Sequence, residues 1–167
     1  SALKWFQLRL SDADPRVRAK AVESLAKWGP KVKACLPDLL KRIDDDTPAI
    51  AVAAVKAVTV VDGGPMVGET LARVLRSVDA RAEVKTAAVE ALLTIDLSNA
   101  ETDVPILVLL LDRDMAETRS AALTKLAKFG KGAKLALSSI SDRLKDDDDE
   151  FYKNITDKFA AIAKEIK

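Results

Sequence analysis

The stretch DPRVRAKAVESL, residues Asp14–Leu25, sets the pattern that the rest of the chain follows. Asp14 is a good N-cap, and Pro15 suits the first helical position, where no amide hydrogen is needed. The apolar residues recur at the spacing of one helical stripe, which comprises Val17, Ala21, Val22 and Leu25. The charged residues predicted to lie off this stripe are Arg16, Arg18, Lys20 and Glu23. The stretch therefore predicts an amphipathic helix, and Gly29 and Pro30 should end it.

This stripe recurs along the whole chain at a nearly constant period. The aligned copies are Val17, Ala21 and Leu25; Ile50, Ala54 and Val58; Val84, Ala88 and Leu92; Thr118, Ala122 and Leu126; and Phe151, Ile155 and Phe159. Their first members are 33, 34, 34 and 33 residues apart. An Asp-rich turn precedes each copy, and Asp44–Asp46 and Asp146–Asp149 are the longest of these runs. A fixed period of this length is typical of helical-repeat proteins.

A second apolar segment follows the first in each repeat. Its predicted core residues are Leu36, Leu39, Leu40 and Ile43 in the first repeat, Leu71, Val74, Leu75 and Val78 in the second, the run Pro105–Leu111 in the third, and Leu137, Ile140 and Leu144 in the fourth. Pro37 and Pro105 lie two periods apart, and both suit the start of this second helix. Gly29 and Gly130 lie three periods apart, and both suit the end of the first helix. Each repeat is therefore predicted to be a pair of helices.

The repeats together predict one all-α domain over residues 1–167. Four full helix pairs are expected at about 11–43, 44–78, 79–111 and 112–144, flanked by half-units at 1–10 and 145–167. The chain begins with SALKWF and has no Met at this point, so we expect it to be part of a larger protein or assembly. The aromatic pair Trp5 and Phe6 in the first half-unit should either form an exposed face or cover the first helix pair.

The composition restricts the classes of function. The net charge is +1, so no overall attraction to nucleic acid or to an anionic membrane is expected. The chain contains no His, which removes the commonest general base and metal ligand. Its single Cys, Cys35, lies in an apolar helical segment and is predicted to be a buried core residue rather than a reactive thiol. We therefore expect no catalytic residue, no metal site and no cofactor, and we expect that the chain is not an enzyme.

No apolar run has the length that a membrane span needs. The longest, Val104–Leu111, falls well short of about 18 residues and contains a Pro. No signal peptide opens the chain as given. We expect a cytoplasmic location and no membrane span.

The first repeat resembles the bacterial HEAT-like repeat, a group that includes the phycobilin-lyase-type repeats. The residues that match are Asp14, Pro15, Val17, Arg18, Ala21, Leu25, Gly29, Pro30, Pro37 and Leu39. The second repeat departs from the pattern because Ala51 stands where the Arg is expected. The resemblance implies a right-handed α-solenoid, or alpha-alpha superhelix, whose second helices line a concave surface that binds a partner.

Two rows of side chains should remain exposed on the second helices once their core residues are buried. One row comprises Asp38, Arg73, Ile106 and Ser139, and the next comprises Lys41, Arg76, Leu109 and Asp142, with Val108 beside it. If these helices line the concave surface, its middle is basic and then apolar. The predicted partner-binding residues are Asp38, Lys41, Arg73, Arg76, Val108, Leu109 and Asp142.

Three other features have a structural interpretation that we favour over a functional one. The Asp runs could bind Ca²⁺, but they lack the alternating ligands and central Gly of a calcium loop, so helix capping is preferred. The lysines around the turns of the first and fourth repeats could bind phosphate, but acidic residues at the intervening turns interrupt them. Trp28 and Phe129, which lie three periods apart, are predicted to pack in the core.

The sequence thus favours a non-catalytic interaction or scaffold module that binds a protein or peptide on its concave surface. One alternative is a phycobilin-lyase-like or other enzyme-associated HEAT subunit, for which neither a His nor a reactive Cys offers support. Another is a nucleic-acid-binding HEAT-like domain, against which the near-neutral charge argues.

Overall fold

The computed structural model describes residues 2–111 and 115–136, and all regular structure in this part of the chain is helical. The α-helices are α1 (Ala2–Leu10), α2 (Pro15–Trp28), α3 (Leu36–Lys41), α4 (Pro48–Val61), α5 (Pro65–Arg76), α6 (Ala82–Thr94), α7 (Ala100–Leu110) and α8 (Ala116–Lys128). Short 3-10 helices cover Gly29–Cys35, Arg42–Asp44 and Gly130–Ala136. The prediction of an all-α chain is confirmed.

The chain forms two compact units, which are described separately. Unit 1 is Ser1–Asp96 and unit 2 is Leu97–Lys167. The helices α6 and α7, which the sequence assigns to the third repeat, fall in different units. The repeat boundaries and the single domain expected from the sequence remain predictions.

The first helices begin and end where the sequence signals predict. The Asp14 carboxylate accepts a hydrogen bond from the Arg16 amide at 2.8 Å and caps α2. Pro15 and Pro48 are the first residues of α2 and α4. Gly29 follows α2 with φ +55° and ψ −137°, a conformation that strains any residue with a Cβ atom. Gly130 also has a positive φ, +49°, and each of these glycines opens a seven-residue 3-10 helix.

The core of unit 1 lies between stacked first helices. Helix α4 packs against α2 on one side and α6 on the other, while α5 packs against α6 and α1 against α2. Leu25, Val58 and Leu92 hold the same position in successive repeats, and each is fully buried. Burial of one such side chain contributes about 1.5–3 kcal/mol. The predicted apolar stripe of the first helices is therefore confirmed in this unit, except at Val17, which is half-buried.

The second helix of the first repeat buries its predicted residues, but the second repeat differs at its end. Leu71, Val74 and Leu75 are buried in α5, whereas Val78 is 92% exposed. Helix α5 stops at Arg76 because Ser77 takes an extended conformation, with ψ 128°. The predicted stripe was one turn too long.

Helix α7 in unit 2 starts earlier than the sequence predicted, so Pro105 does not mark its beginning. The Asn99 side chain accepts hydrogen bonds from the amides of Glu101 and Thr102, and the Asp103 carboxylate accepts one from the Asn99 amide. This reciprocal cap begins the helix at Ala100 and leaves Pro105 inside it. The hydrogen-bonded cap at Asn99 and Asp103, rather than Pro105, therefore determines where α7 begins.

The rest of unit 2 is built close to α7. Helix α8 and the 3-10 helix Gly130–Ala136 both pack against α7. Thr118, Ala122 and Leu126 on α8 are buried as predicted. A Cβ atom on Gly132 would come within 2.7 Å of the Ala100 Cβ, so only glycine fits at this approach. The predicted second helix of the fourth repeat and the terminal helix with Phe151, Ile155 and Phe159 lie outside the described residues.

Candidate functional site

A buried arginine joins the first repeat to the second, contrary to the sequence-based expectation that Arg18 lies off the buried face. Arg18 is 8% exposed. Its Nε and Nη2 donate to the two carboxylate oxygens of Asp45 at 2.8 and 2.9 Å, and Nη2 also donates to Asp46. Its Nη1 donates to the backbone carbonyls of Asp12 and Ala13 at 2.9 and 3.2 Å. The periodicity failed here because a helix position beside the stripe becomes buried once the next repeat covers it.

The Asp run that follows α3 is occupied by this network and does not cap α4 with its side chains. Thr47 is the N-cap of α4 and makes no side-chain capping bond. Asp45 instead accepts hydrogen bonds from Arg18, from the Thr47 amide and from Arg42. Burial acts to raise the pKa of Asp45, but these hydrogen bonds and the Arg18 charge hold the pKa below its ordinary value. The capping interpretation of Asp44–Asp46 was therefore wrong for this run.

At the turn before α4, a different arginine donates to the backbone carbonyls. Ala51, one period after Arg18, is buried and has no guanidinium to offer. Arg81, from the start of the third repeat, donates to the backbone carbonyls of Asp45 and Asp46 at 3.1 and 2.8 Å. These two carbonyls lie one period after those of Asp12 and Ala13. A guanidinium therefore binds equivalent backbone groups at both turns.

The predicted partner-binding residues of unit 1 all lie on the second helices and reach its surface. Asp38 on α3 accepts hydrogen bonds from Gln7 on α1 and from Lys41, both at 3.0 Å. Arg73 on α5 forms an ion pair with Asp44 at 2.8 Å. Arg76 is exposed and forms no ion pair with any described residue. We call Asp38, Lys41, Arg73 and Arg76 the second-helix surface.

A small polar cavity lies beside this surface. It has a volume of about 260 Å³ and includes Arg73 among its lining residues. Its other charged lining residues are Asp44, Asp45, Asp46, Asp79 and Arg81, and Val74 and Val84 supply apolar contact. The cavity thus offers both carboxylates and guanidinium groups to a bound side chain.

The predicted residues of unit 2 are less exposed than expected. Val108 and Leu109 are half-buried, and Ile106, which was placed in an exposed row, is buried in α7. Ile106 is covered because α7 packs against two elements, α8 and the 3-10 helix that follows it. Asp142 and Ser139 lie outside the described residues.

The lysines near the first turn are partly neutralised by acidic neighbours. Lys33 pairs with Asp62 at 2.8 Å. Lys20 and Lys27 both bind Glu23 and lower its pKa to about 2. This arrangement agrees with solvated lysines rather than a phosphate-binding strip.

Cys35 is fully buried, and burial raises the pKa of its thiol, as a core role predicts. Within residues 2–111 and 115–136, no cluster of Cys, Asp and Glu has an arrangement that could hold a metal ion. None of the helices in these ranges combines the length and apolar character of a membrane span.

An aromatic cluster lies at the surface of unit 1, and the sequence predicted an exposed or covering role for Trp5 and Phe6 but not for Trp28. Trp28, predicted to be a core residue, is 48% exposed, and Trp5 is 54% exposed. Phe6 lies between them, with its ring centroid 5.1 Å from that of Trp5 and 6.0 Å from that of Trp28, both in edge-on geometry. The period does not relate these residues, so only the unusual density of aromatic residues near the start of the chain could have indicated the cluster.

The first helices stack on one another, the second helices bury one face and expose the other, and an arginine joins neighbouring repeats. These features define a helical-repeat protein of the α-solenoid class. The chain belongs to the HEAT repeat family, since the model of that family, described as HEAT repeats, matches residues 2–93. Repeats of this family commonly serve as scaffolds for protein interaction, and the fold is typically non-catalytic.

The comparison with solved structures supports the same fold. An engineered protein, whose crystal structure was solved as a structural genomics target, is similar over 98% of this chain and 79% of its own length, with a TM-score of 0.64. Its sequence is 19% identical, so the similarity concerns the fold alone. No curated protein matches the sequence.

Proposed function

We propose that this chain is a non-catalytic scaffold that binds a protein or peptide segment on its second helices. In unit 1 the proposed residues are those of the second-helix surface, Asp38, Lys41, Arg73 and Arg76. The residues that the sequence predicts in unit 2 are Val108, Leu109 and Asp142, of which Asp142 lies outside the described residues. The family supports the class of function, and the exposed polar residues of α3 and α5 support the proposed location. The cytoplasmic location expected from the sequence remains a prediction.

The observation that supports this surface most strongly is the division of α5 into two faces. Its core residues are buried, while Arg73 and Arg76 project from the opposite side into solvent. Arg73 binds the exposed carboxylate of Asp44, and Arg76 pairs with no described residue, so both guanidinium groups lie at the surface. Exposed arginines are well suited to bind carboxylates of a partner.

Charge reversal tests this proposal. The variant Arg73→Glu/Arg76→Glu should lose the proteins that the wild-type chain captures by cross-linking in its native cell extract, because both guanidinium groups become carboxylates. The matched control is Lys56→Glu/Lys128→Glu, which makes the same change in charge at exposed positions of α4 and α8. Equal recovery by wild type and by Arg73→Glu/Arg76→Glu, with the helical circular dichroism unchanged, would contradict a role for the second-helix surface.

A second variant addresses unit 2. Leu109→Asp places a charge on a half-buried apolar position of α7, and we expect it to weaken capture of the same partners. The melting temperature of the variant separates a loss of contact from a loss of fold. Unchanged capture by a folded Leu109→Asp protein would remove Val108 and Leu109 from the surface.

A further inference from the structure

The turn between α5 and α6 is one residue shorter than three other turns between repeats. In those turns, the last core residue of the second helix stands seven residues before the first core residue of the next helix. The pairs are Leu10 and Val17, Ile43 and Ile50, and Leu111 and Thr118. Val78 stands only six residues before Val84. The period is therefore interrupted between α5 and α6, inside unit 1.

The short turn leaves an aliphatic side chain outside the core. Leu10, Ile43 and Leu111 are 0%, 2% and 3% exposed, whereas Val78 is 92% exposed. In the first repeat, the 3-10 helix Arg42–Asp44 continues the second helix and buries Ile43. The turn after α5 has fewer residues to reach the next helix, so its backbone is more extended, and Ser77 has ψ 128°. Val78 therefore does not take the buried position that Ile43 takes.

The polar cavity beside α5 lies where this side chain is missing. Val74, Ser77 and Val84 are among its lining residues, and its volume is about 260 Å³. Val74 and Val84 align with Leu39 and Ile50 of the preceding helices, α3 and α4. The 3-10 helix that carries the buried Ile43 packs against these same two helices. We call the cavity beside Val74, Ser77 and Val84 the turn cavity; an aliphatic side chain fills the equivalent position one repeat earlier.

Most charged groups around the turn cavity already have partners in the structure. Arg73 binds the Asp44 carboxylate, and the Asp45 carboxylate accepts from Arg18. Arg81 donates to two backbone carbonyls. Charge therefore does not decide what the cavity binds. Its unfilled requirement is apolar contact with Val74 and Val84, which an aliphatic side chain from another molecule can supply.

We propose that the turn cavity receives one leucine, isoleucine or valine side chain of the protein segment that binds the second-helix surface. The two sites adjoin, because Arg73 lines the cavity and also belongs to that surface. An anchor residue in a pocket beside exposed polar groups is a common arrangement at protein interfaces. This inference rests on the proposed function and adds the chemistry of the anchoring side chain.

Covalent tethering tests whether the cavity accepts an aliphatic group, without any partner. Ser77→Cys introduces a thiol at the lining of the cavity, and the only natural cysteine, Cys35, is fully buried. Modification of the full chain with isobutyl methanethiosulfonate should raise the melting temperature by about 2–4 °C relative to the methyl reagent. Ser11→Cys is the matched control, since Ser11 is exposed in the turn between α1 and α2. The two reagents should give that control the same melting temperature.

Peptide binding tests whether a partner segment uses the cavity. The probes are short fluorescein-labelled peptides with one leucine among aspartates and polar residues in varied order, and fluorescence anisotropy with the full chain selects the best binder. Replacement of its leucine by alanine should weaken binding about tenfold. Ser77→Leu, which fills the cavity from within, should remove this difference, whereas Ser11→Leu should retain it. Circular dichroism confirms that both variants are folded.

Replacement of the aspartates by asparagine separates this inference from the proposed function. In the wild type and in Ser77→Leu alike, the change should weaken binding, because Arg73 and Arg76 remain. Binding that depends on the aspartates but not on the leucine would overturn the role of the cavity and leave the second-helix surface in place. Binding that depends on the leucine alone would support the cavity and contradict the role of the arginines.

Three further results would overturn the proposal. The first is equal melting temperatures of Ser77→Cys after the isobutyl and the methyl reagent. The second is no saturable binding of any leucine peptide up to about 1 mM. The third concerns Val78→Ala, which should leave the melting temperature nearly unchanged, whereas Val58→Ala should lower it because Val58 is fully buried. Equal losses in these two variants would mean that Val78 itself fills the cavity in solution.

Discussion

Arg18 makes five hydrogen bonds with one guanidinium group, and their acceptors belong to two repeats. Two acceptors are backbone carbonyls of its own turn, and the rest are carboxylate oxygens of Asp45 and Asp46. A buried guanidinium is favourable only when its donors are satisfied in this way. At the scale of the residue, this network therefore links the helix signal Asp14–Leu25 to the Asp run of the next repeat.

Removal of the Arg18 charge should be costly. We expect Arg18→Met to lower the free energy of unfolding by about 3–5 kcal/mol, because the buried Asp45 carboxylate loses its closest charged partner and keeps only Arg42 and the Thr47 amide as donors. Urea denaturation followed by circular dichroism measures the change. Arg16→Met is the matched control, since the Arg16 side chain is 89% exposed and solvent screens its ion pair with Asp14, which should contribute little. Similar losses in both variants would contradict the importance of burial.

The same pair makes stability depend on acid. The pKa of Asp45 is lowered in the folded state, so its stabilising contribution is complete above the ordinary carboxyl pKa and is lost as the pH falls through the lowered folded-state value. Between about pH 5 and pH 2, the wild type should therefore lose its stability advantage over Asp45→Asn. The measurement is urea denaturation of both proteins at several pH values in this range. A constant difference across the range would show that Asp45 does not titrate with unfolding.

Arg18 also shows where inference from sequence stops at this scale. Val17 and Leu25 could be assigned to the stripe because helical spacing reports which side chains share a face. The burial of Arg18 depends instead on Asp45, which is 27 residues away and belongs to the neighbouring repeat. The Asp run suggested capping because local signals cannot distinguish a cap from a carboxylate that binds a distant arginine.

At the scale of the element, glycine fixes where the first helix ends. Gly29→Ala should lower the free energy of unfolding by about 1–3 kcal/mol, because φ +55° with ψ −137° is strained for alanine. Gly64→Ala is the control, since Gly64 has φ −75° and the nearest atom to an added Cβ is a carboxylate oxygen of Asp62 at 3.3 Å. We expect that control to change stability by less than about 1 kcal/mol. Thermal denaturation of the two variants checks the difference, and equal losses would be contrary to it.

A second prediction concerns the arginine that binds the turn before α4, which is Arg81 because Ala51 replaces the equivalent of Arg18. In Arg81→Ala, the carbonyls of Asp45 and Asp46 lose their guanidinium donor, and we expect Ala51→Arg to recover part of the lost stability by binding them from α4. In the wild-type background, Ala51→Arg should instead destabilise, because Arg81 already binds the same groups. A double-mutant cycle by urea denaturation measures this change of sign. If Ala51→Arg has the same effect in both backgrounds, the two positions are not equivalent.

Element boundaries were predicted less well than element identity. Repeated apolar spacing identified α2, α4, α6 and α8 as helices, since periodicity accumulates over several turns. Val78 was wrongly included in α5, and Pro105 was wrongly placed at the start of α7. In both cases a local choice decided the boundary, namely the extended Ser77 and the hydrogen-bonded cap at Asn99 and Asp103.

At the scale of the molecule, the first 96 residues form a compact unit with its own stacked core. We expect a fragment of residues 1–96 to fold alone, because the buried stripes of α2, α4 and α6 pack within it. Circular dichroism should show a helical spectrum and a cooperative urea transition. Arg18→Met in the fragment serves as the control and should shift the midpoint to lower urea. A fragment without cooperative unfolding would contradict the independence of unit 1.

The sequence predicted the architecture better than the function. The repeated stripe, the prolines and the glycines predicted an all-α fold of helix pairs because each copy reports the same packing, and the resemblance of the first repeat implied the HEAT family. The candidate binding residues could only be located by subtraction, as what remains exposed on α3 and α5. For the aromatic cluster, the sequence indicated Trp5 and Phe6 as a pair that is exposed or covers the first helices, but it did not predict their contact with Trp28, which was assigned to the core.

The reach of Arg81 back to the second repeat also bears on how such a chain can change its number of repeats. Tandem copies are gained and lost as modules when recombination misaligns them. Here Arg18 of the first copy binds the Asp run of the second, and Arg81 of the third binds the backbone of the same run. Without the second copy, Arg18 and Arg81 would both lose the acceptors that this copy provides. Without the third copy, the backbone carbonyls of Asp45 and Asp46 would lose the Arg81 donor. In related chains, we therefore expect variation in copy number to fall outside residues 11–81.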